Sequence, residues 1–401
     1  MTWQTSMILR IVLAALPAQL YLAWRLGRAV PVVLGIPHRR VVPLFLVLVA
    51  WANALPALLA MRYLTGTLDR ATWEATAIGA FDLGLLFPFW IGLVITVELL
   101  PYVVALDVLR VIGGRLRFPD SFARLMAGLR LLLAVLLTLY AGVRIGLDTW
   151  RVRGNDVPVA VAGLPAELDG LRLAFLADVQ VDRFTGPFKL QQAAAHIERF
   201  DPDLLLFGGD LVTRGEAYID DGLSWMCRQV GTSPAIAVVG DHDWWANPGR
   251  IRDGLAACGW HVPDNRHQVF DVRGRRVLVT GLTHIYSRRL RRAAAEEFLA
   301  AAPEADLKVL LVHQPAAGLV EAAREHGYQL ILAGHTHGGQ LVWRPFGYAV
   351  SGAKFESGPF FQGVHDLGGA TLVVTNGVGL TLAPIRYQAP AEVTRVTVTK
   401  E

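Results

Sequence analysis

Five short apolar runs in the second half of the chain each stop on residues able to ligate a metal. LRLAFLAD ends on Asp178, DLLLFGGD on Asp210, AIAVVGDHD on Asp241 to Asp243, KVLLVH on His313, and QLILAGHTH on His335 and His337. One such stop means little, because an Asp after a strand is commonly a helix cap or a turn residue. Five together, with tight turns available at Gly208, Gly209, Gly240, Gly334, Gly338 and Gly339, point to a common site. Carboxylates and imidazoles make a mixed oxygen and nitrogen donor set, suited to Mn, Fe, Zn or Mg and unlike a thiolate-bound structural metal. A carboxylate at a central strand end can bridge two cations about 3.5–4 Å apart, an arrangement that clamps a phosphoryl group and activates a water. Competing chemistries lack their residues. There is no G-x-S-x-G, Ser233 and Ser287 stand near no obvious base, and neither GxxxxGK[ST] nor a dinucleotide fingerprint occurs.

The elements that must position these residues follow from the pattern around them. From Leu171 onward the apolar runs alternate with amphipathic, helix-like stretches, the pattern of an α/β domain. Ligands of open α/β sheets bind at the carboxyl ends of the strands, so five strand ends would converge on one point.

The front third is different in kind. The chain is 53% hydrophobic with a mean hydropathy of +0.39, and no Asp or Glu precedes Asp69. Four apolar runs, at about 7–26, 41–64, 81–105 and 125–147, are long enough to cross a bilayer as helices. The first lacks the basic start of a signal peptide, and Pro17, Pro56 and Pro88 are tolerated in spanning helices. Asp82 and Glu98 read either as the two interface ends of the third run or as functional intramembrane carboxylates. The layout is therefore a four-helix transmembrane region over 1–148, a linker and opening strand over 149–170, and the α/β domain over 171–401.

Loop charge orients the membrane part. Arg25, Arg28, Arg39 and Arg40 fill the first loop, and Arg110, Arg115, Arg117 and Arg124 the third. The second has only Arg62 and Arg70, offset by Asp69 and Glu74. The positive-inside rule puts loops one and three in the cytoplasm and the α/β domain outside it, against a counter-signal from Arg144, Arg151 and Arg153. This use of arginine also accounts for much of the +4 charge and the pI near 9.2, so no nucleic-acid partner is expected. Cys227 and Cys258 match no zinc spacing and read as small hydrophobes, with a disulfide as the alternative.

The series ADVQ, GGDLV, GDHD, VHQP and AGHTHGGQ resembles the five-block signature of calcineurin-like metallophosphoesterases, over 157–399. AGHTHGGQLVWRP, TNGVGLTLAPIRYQAPAEVTRVTV and LPAELDGLRLAFLAD are similar to a bacterial, membrane-associated subgroup, in which transmembrane spans also precede the domain. The resemblance implies a two-sheet α/β sandwich flanked by helices and a centre of two divalent ions. Asp178, His337 and Gln180 would hold the first ion, Asp210 would bridge, and Asp241, His313 and His335 would hold the second. His242 would protonate the leaving group, oriented by Asp243. The family pattern has His at position 180 and Asn at 241, so the site here gains oxygen donors and about one negative charge. Mn is the ion expected first, with Mg, Fe or Zn as alternatives.

The implied activity is hydrolysis of a phosphomonoester, phosphodiester or pyrophosphate at the surface of a bacterial inner membrane. Membrane lipids would be neighbours, and lipid-linked phosphates are among the subgroup's substrates. The rival reading is a membrane sensor or scaffold whose domain binds a ligand without turning it over. Two further features carry two readings each, and a third carries one. Trp244 and Trp245 are either packing residues or the lining of an apolar channel or interface. SRRLRR, from Ser287 to Arg292, is either a solvated helix start or an anion-binding run. His284 stands near another strand end and is a candidate for the site.

Overall fold

The computed structural model describes residues 3–68, 73, 75–116 and 119–401. Asp69, Arg70, Glu74 and Arg117, part of the loop-charge pattern, lie outside the described residues. The chain divides into one unit of Met1–Leu147 with Leu382–Tyr387, and a second of Asp148–Thr381 with Gln388–Glu401.

The first unit is helical: α1 (Trp3–Leu34), α2 (His38–Ala52), α3 (Ala54–Leu64), α4 (Phe87–Arg115, begun by a π-helical turn at Asp82–Leu86) and α5 (Asp120–Trp150). Among the described residues three helices are long and apolar enough to cross a membrane, and a fourth crossing requires counting α2 and α3 as one. The expected second span is not a straight helix, because α2 and α3 meet at a 53° bend. Asn53 makes the break: its amide donates to the Val49 carbonyl at 2.7 Å and to Gln19 Oε1 at 2.5 Å, and Pro56 follows within the first turn of α3. Large apolar side chains such as Leu13, Leu44, Val47, Leu132 and Leu139 stand exposed on these helices, as a lipid-facing surface requires.

Three carboxylates of this unit have polar partners. Glu98 is not at an end of the third span. It lies mid-helix and buried, and accepts a 2.5 Å hydrogen bond from the Tyr387 hydroxyl. Asp82 does sit at the start, where it accepts from the Gly79 amide at 3.0 Å. Asp107, which the sequence pattern did not flag, receives Arg25, Arg130 and the Tyr21 hydroxyl, so α1, α4 and α5 share one buried ionic cluster.

The second unit is a sandwich. Its elements are β1 (Arg153–Val161), β2 (Leu171–Leu176), α6 (Pro187–Phe200), β3 (Leu204–Phe207), α7 (Ile219–Gln229), β4 (Ala235–Ala237), α8 (Asp241–Ala246), α9 (Pro248–Ala257), β5 (Trp260–His261), β6 (Arg266–Val272), β7 (Arg275–Leu282), α10 (Arg292–Ala300), β8 (Leu307–Val312), α11 (Ala317–Glu325), β9 (Leu330–Ala333), α12 (Gly352–Ser357), β10 (Gly363–Asp366), β11 (Thr371–Val374) and β12 (Glu392–Lys400). One six-stranded sheet runs β1-β12-β2-β3-β4-β5 and the other β10-β11-β9-β8-β7-β6. Within them β2, β3, β4 and β5 are parallel neighbours, as are β7, β8, β9 and β11.

Period-two alternation builds the layers. Leu173 and Phe175 of β2 enter the core between the sheets with Leu206, Val279, Leu311 and Leu332. Ala174 and Leu176 face the other way, under α6, α7 and α9. On the second sheet Leu310, Val312 and Ile331 pack under α10 and α11. The segment 149–170 contributes β1, paired in parallel to β12 along its whole length. The cysteines are not separate small hydrophobes. Cys227 on α7 and Cys258 at the end of α9 form a disulfide, their Cα atoms 5.4 Å apart because α7 and α9 are neighbours under the first sheet.

Candidate metal centre

Each of the five strands ends where the sequence placed a ligand. Asp178 follows β2, Asp210 follows β3, Asp241 follows β4, His313 follows β8, and His335 and His337 follow β9. Parallel pairing within each sheet puts these ends on the same edge, and the sandwich brings the two edges together. The backbone bends hard to do this. Asp178, Gln180, Asp210, His335 and His337 all have positive φ, between 46° and 71°, a region that non-glycine residues seldom occupy and that clusters at functional sites. Glycine is needed where two of the loops touch. A Cβ on Gly240 would lie 2.1 Å from Asp210 Oδ1, and one on Gly209 would lie 2.5 Å from the Gly240 nitrogen.

Two groups of metal-ligating side chains result, Asp178–Asp210–His313 and Asp241–His313–His335, with the ligand atoms of each within 4.8 Å of one another. His313 belongs to both. Its Nδ1 donates to the Gly208 carbonyl at 2.8 Å, so in the neutral, metal-binding form of the ring the Nε2 lone pair faces the carboxylates, 3.4 Å from Asp210 and 3.5 Å from Asp241. His335 Nδ1 is 3.0 Å from Asp241 Oδ2, and His337 Nε2 is 3.5 Å from Asp178 Oδ1. Gln180 donates through Nε2 to Asp210 Oδ2 at 3.1 Å. All seven candidate ligands are thus brought together.

The site's electrostatics ask for positive charge. Burial opposes ionisation of Asp210 and Asp241, yet the His313 and His242 imidazoles beside Asp210, and the His313 and His335 imidazoles beside Asp241, hold both far below the usual carboxylate range. Burial likewise opposes a charge on His313, but the Asp210 carboxylate, joined by Asp241 and Asp178, outweighs it and raises His313 well above the ordinary imidazole value. His335 is lowered, chiefly by burial. Gln180 Oε1 and His313 Nε2 are buried atoms with no hydrogen-bond partner. Three buried carboxylates, inward lone pairs and two unpaired donor atoms fit divalent cations.

His242 is not held by Asp243. The Asp243 carboxylate is consumed by backbone amides, those of Leu211 at 2.7 Å, Asp210 at 2.8 Å and Gly240 at 3.0 Å, and so ties the β3 loop to the β4 loop. Burial first and the charge of Asp210 second push it up to about 6. His242 Nδ1 instead meets the carbonyl of Thr213, whose hydroxyl donates to Asp182 Oδ2 at 2.8 Å and the Gln180 carbonyl at 3.1 Å.

Residues 171–339 match the calcineurin-like phosphoesterase family. The chain carries a calcineurin-like metallophosphoesterase domain. It is 27% identical over 250 residues to a zebrafish transmembrane protein with a metallophosphoesterase domain, covering 60% of this chain and 56% of that one. An uncharacterised Campylobacter jejuni metallophosphoesterase is 25% identical, covering 71% of this chain and 73% of its own. A phosphodiesterase of Escherichia coli is 29% identical, covering 56% of this chain and 80% of its own. The domain is thus of a class of phosphoric ester hydrolases that work with a divalent metal centre.

Within the metallophosphoesterase domain several neighbours of the site escaped the sequence pattern. Gln314 Nε2 donates to Asp241 Oδ2 at 2.7 Å, and the Tyr286 amide donates to Asp241 Oδ1 at 2.8 Å. Gln314 was legible in principle, since it stands inside VHQP. Thr213, Tyr286 and Glu356, the last 3.7 Å from His335 Nε2, carried no signal beyond position. His284 is buried, and its Nδ1 accepts from the Leu290 amide at 3.2 Å, which ties a loop. Of the SRRLRR run, Arg292 opens α10 and pairs with Glu296 and Glu325, whereas Arg288 and Arg289 lie over the Trp244 and Tyr286 rings.

Proposed function

We propose that this chain is a membrane-anchored phosphoesterase whose soluble unit hydrolyses phosphoester bonds with two divalent cations. The observation that carries the reading is the pair of ligand groups meeting at His313, whose inward nitrogen is buried and unpaired. Asp178, His337 and Gln180 are assigned to one ion, and Asp241, His313 and His335 to the other. An imidazole nitrogen serves one ion at a time, so Asp210, with two carboxylate oxygens, would be the ligand shared by both. Such ions, when bound, polarise the phosphoryl oxygens and make a water acidic enough to attack.

The chain's own groups do the rest. Nδ1–H of His242 donates to the Thr213 carbonyl, which leaves Nε2 to pass a proton to the departing alcohol. Asp243 keeps the Asp210 and Gly240 loops in register through its three amide bonds. Gln180 and Asp241 add oxygen donors where the family pattern has nitrogen or amide, and we assign Mn as the working ion, with Mg ahead of Zn.

The membrane helices and the name of the zebrafish relative support anchorage in a bilayer. Arg25 is not a loop charge, being buried against Asp107, and the other described arginines of the first and third groups (Arg28, Arg39, Arg40, Arg110, Arg115 and Arg124) lie in helices rather than in loops. Those six arginines, on helices flanking the first and third turns, and the Cys227–Cys258 disulfide support an extracytoplasmic soluble unit, which for a bacterial chain means the outer side of the inner membrane. A phosphorylated small molecule, lipid-linked or free, is the proposed substrate. Full-length protein purified in detergent, stripped by chelator and reloaded with Mn, should hydrolyse bis(p-nitrophenyl) phosphate or p-nitrophenyl phosphate. Full metal loading with no turnover of any phosphoester would favour a ligand-binding role instead.

A further inference from the structure

The rim of the metal centre carries aromatic rings that phosphoryl chemistry does not require. The His242 ring lies 5.1 Å from that of Trp245, which stacks on Tyr286 with centroids 6.3 Å apart and planes within 5°. Tyr286 then meets His335 edge-on at 5.2 Å, and His335 meets His313 at 5.1 Å. One file of rings thus runs from the buried centre to the surface. Its outer members are open, Trp245 at 48% and Tyr286 at 38% exposure.

These two side chains are held in place although they are exposed. The Trp245 indole N–H donates to Ser287 Oγ at 3.1 Å, and the backbone amide of Tyr286 is fixed by Asp241. The Arg289 guanidinium lies 5.5 Å from the Tyr286 centroid and makes no ion pair among the described residues. Leaving large rings in water forgoes burial, and positioning them beside a reaction centre suits them to a ligand that supplies the missing contact.

We propose that Trp245 and Tyr286 form the leaving-group subsite, which selects phosphoesters whose departing alcohol presents a planar aromatic face. This rests on the phosphoesterase reading above. With the phosphoryl group at the ions, the proton donor His242 would stand between it and Trp245, so the departing alcohol would lie against the stacked rings. Arg289 stiffens the Tyr286 ring through its cation–π contact.

Binding of unreactive phosphonates tests this without requiring turnover. Affinities of naphthylmethylphosphonate, octylphosphonate and methylphosphonate would be measured on Mn-loaded full-length protein and its variants in one detergent. The parent protein should bind the naphthyl compound about tenfold or more above the methyl one, and above the octyl one. The Trp245→Ala/Tyr286→Ala double variant should bring the naphthyl and methyl affinities within about threefold. Trp245→Phe, which keeps a ring, should retain most of the preference. A preference that survives the double substitution, or octyl binding equal to naphthyl, would overturn the subsite. Failure of every phosphonate to bind the Mn-loaded parent would overturn the phosphoesterase reading, and the subsite with it.

Discussion

Gln180 shows most clearly how one residue can tune the centre. Its backbone is left-handed, its amide nitrogen donates to Asp210, and its Oε1 is buried with no partner. That oxygen is the proposed ligand, and an amide oxygen holds a late transition metal less well than imidazole does. Gln180→His should therefore raise metal retention and move preference towards Zn, read by elemental analysis after dialysis against mixed metals. Unchanged stoichiometry and preference would remove Gln180 from the ligand set. Thr213 offers a second test. Thr213→Val deletes the hydroxyl bonded to Asp182 and Gln180 and loosens the carbonyl that fixes His242, so kcat should fall by about tenfold with KM nearly constant. Thr213→Ser should restore it. A Ser variant as slow as Val would leave the hydroxyl without a positioning role.

Among the elements, the five strands were legible because each apolar run is short, β-rich and stopped by a polar residue. The sheet order also puts their ends on one edge. The break at Asn53 was hidden in an unbroken apolar run, since a bend there depends on a side chain reaching Gln19 on another helix. The hold on His242 was hidden for a similar reason. Asp243 is its neighbour in sequence, but α8 turns that carboxylate onto the Leu211, Asp210 and Gly240 amides. The disulfide depended on α7 and α9 lying side by side, which two isolated cysteines do not reveal. It closes a separation of 31 residues, and Cys227→Ser/Cys258→Ser should destabilise the sandwich unit by about 2–4 kcal/mol in denaturant melts. An unchanged melt in oxidising buffer would mean that the bond contributes no stability.

For the whole molecule, compartment and chemistry are separable questions. Alkaline phosphatase fused after Glu401, a reporter active only outside the cytoplasm, should be active if the Arg-rich helix ends at the first and third turns face inward. Activity from a cytoplasmic reporter alone would reverse the orientation but leave the centre intact. The shared carboxylate is the central claim, and metal content per chain in two variants tests it most directly. Asp210→Asn weakens a ligand common to both ions, so it should lose most bound Mn and nearly all turnover. His242→Ala should keep about two Mn per chain and lose about 10²–10⁴-fold in kcat, as removal of a proton donor does. Equal metal loss in both variants, or full Mn content in Asp210→Asn, would contradict a centre built around Asp210.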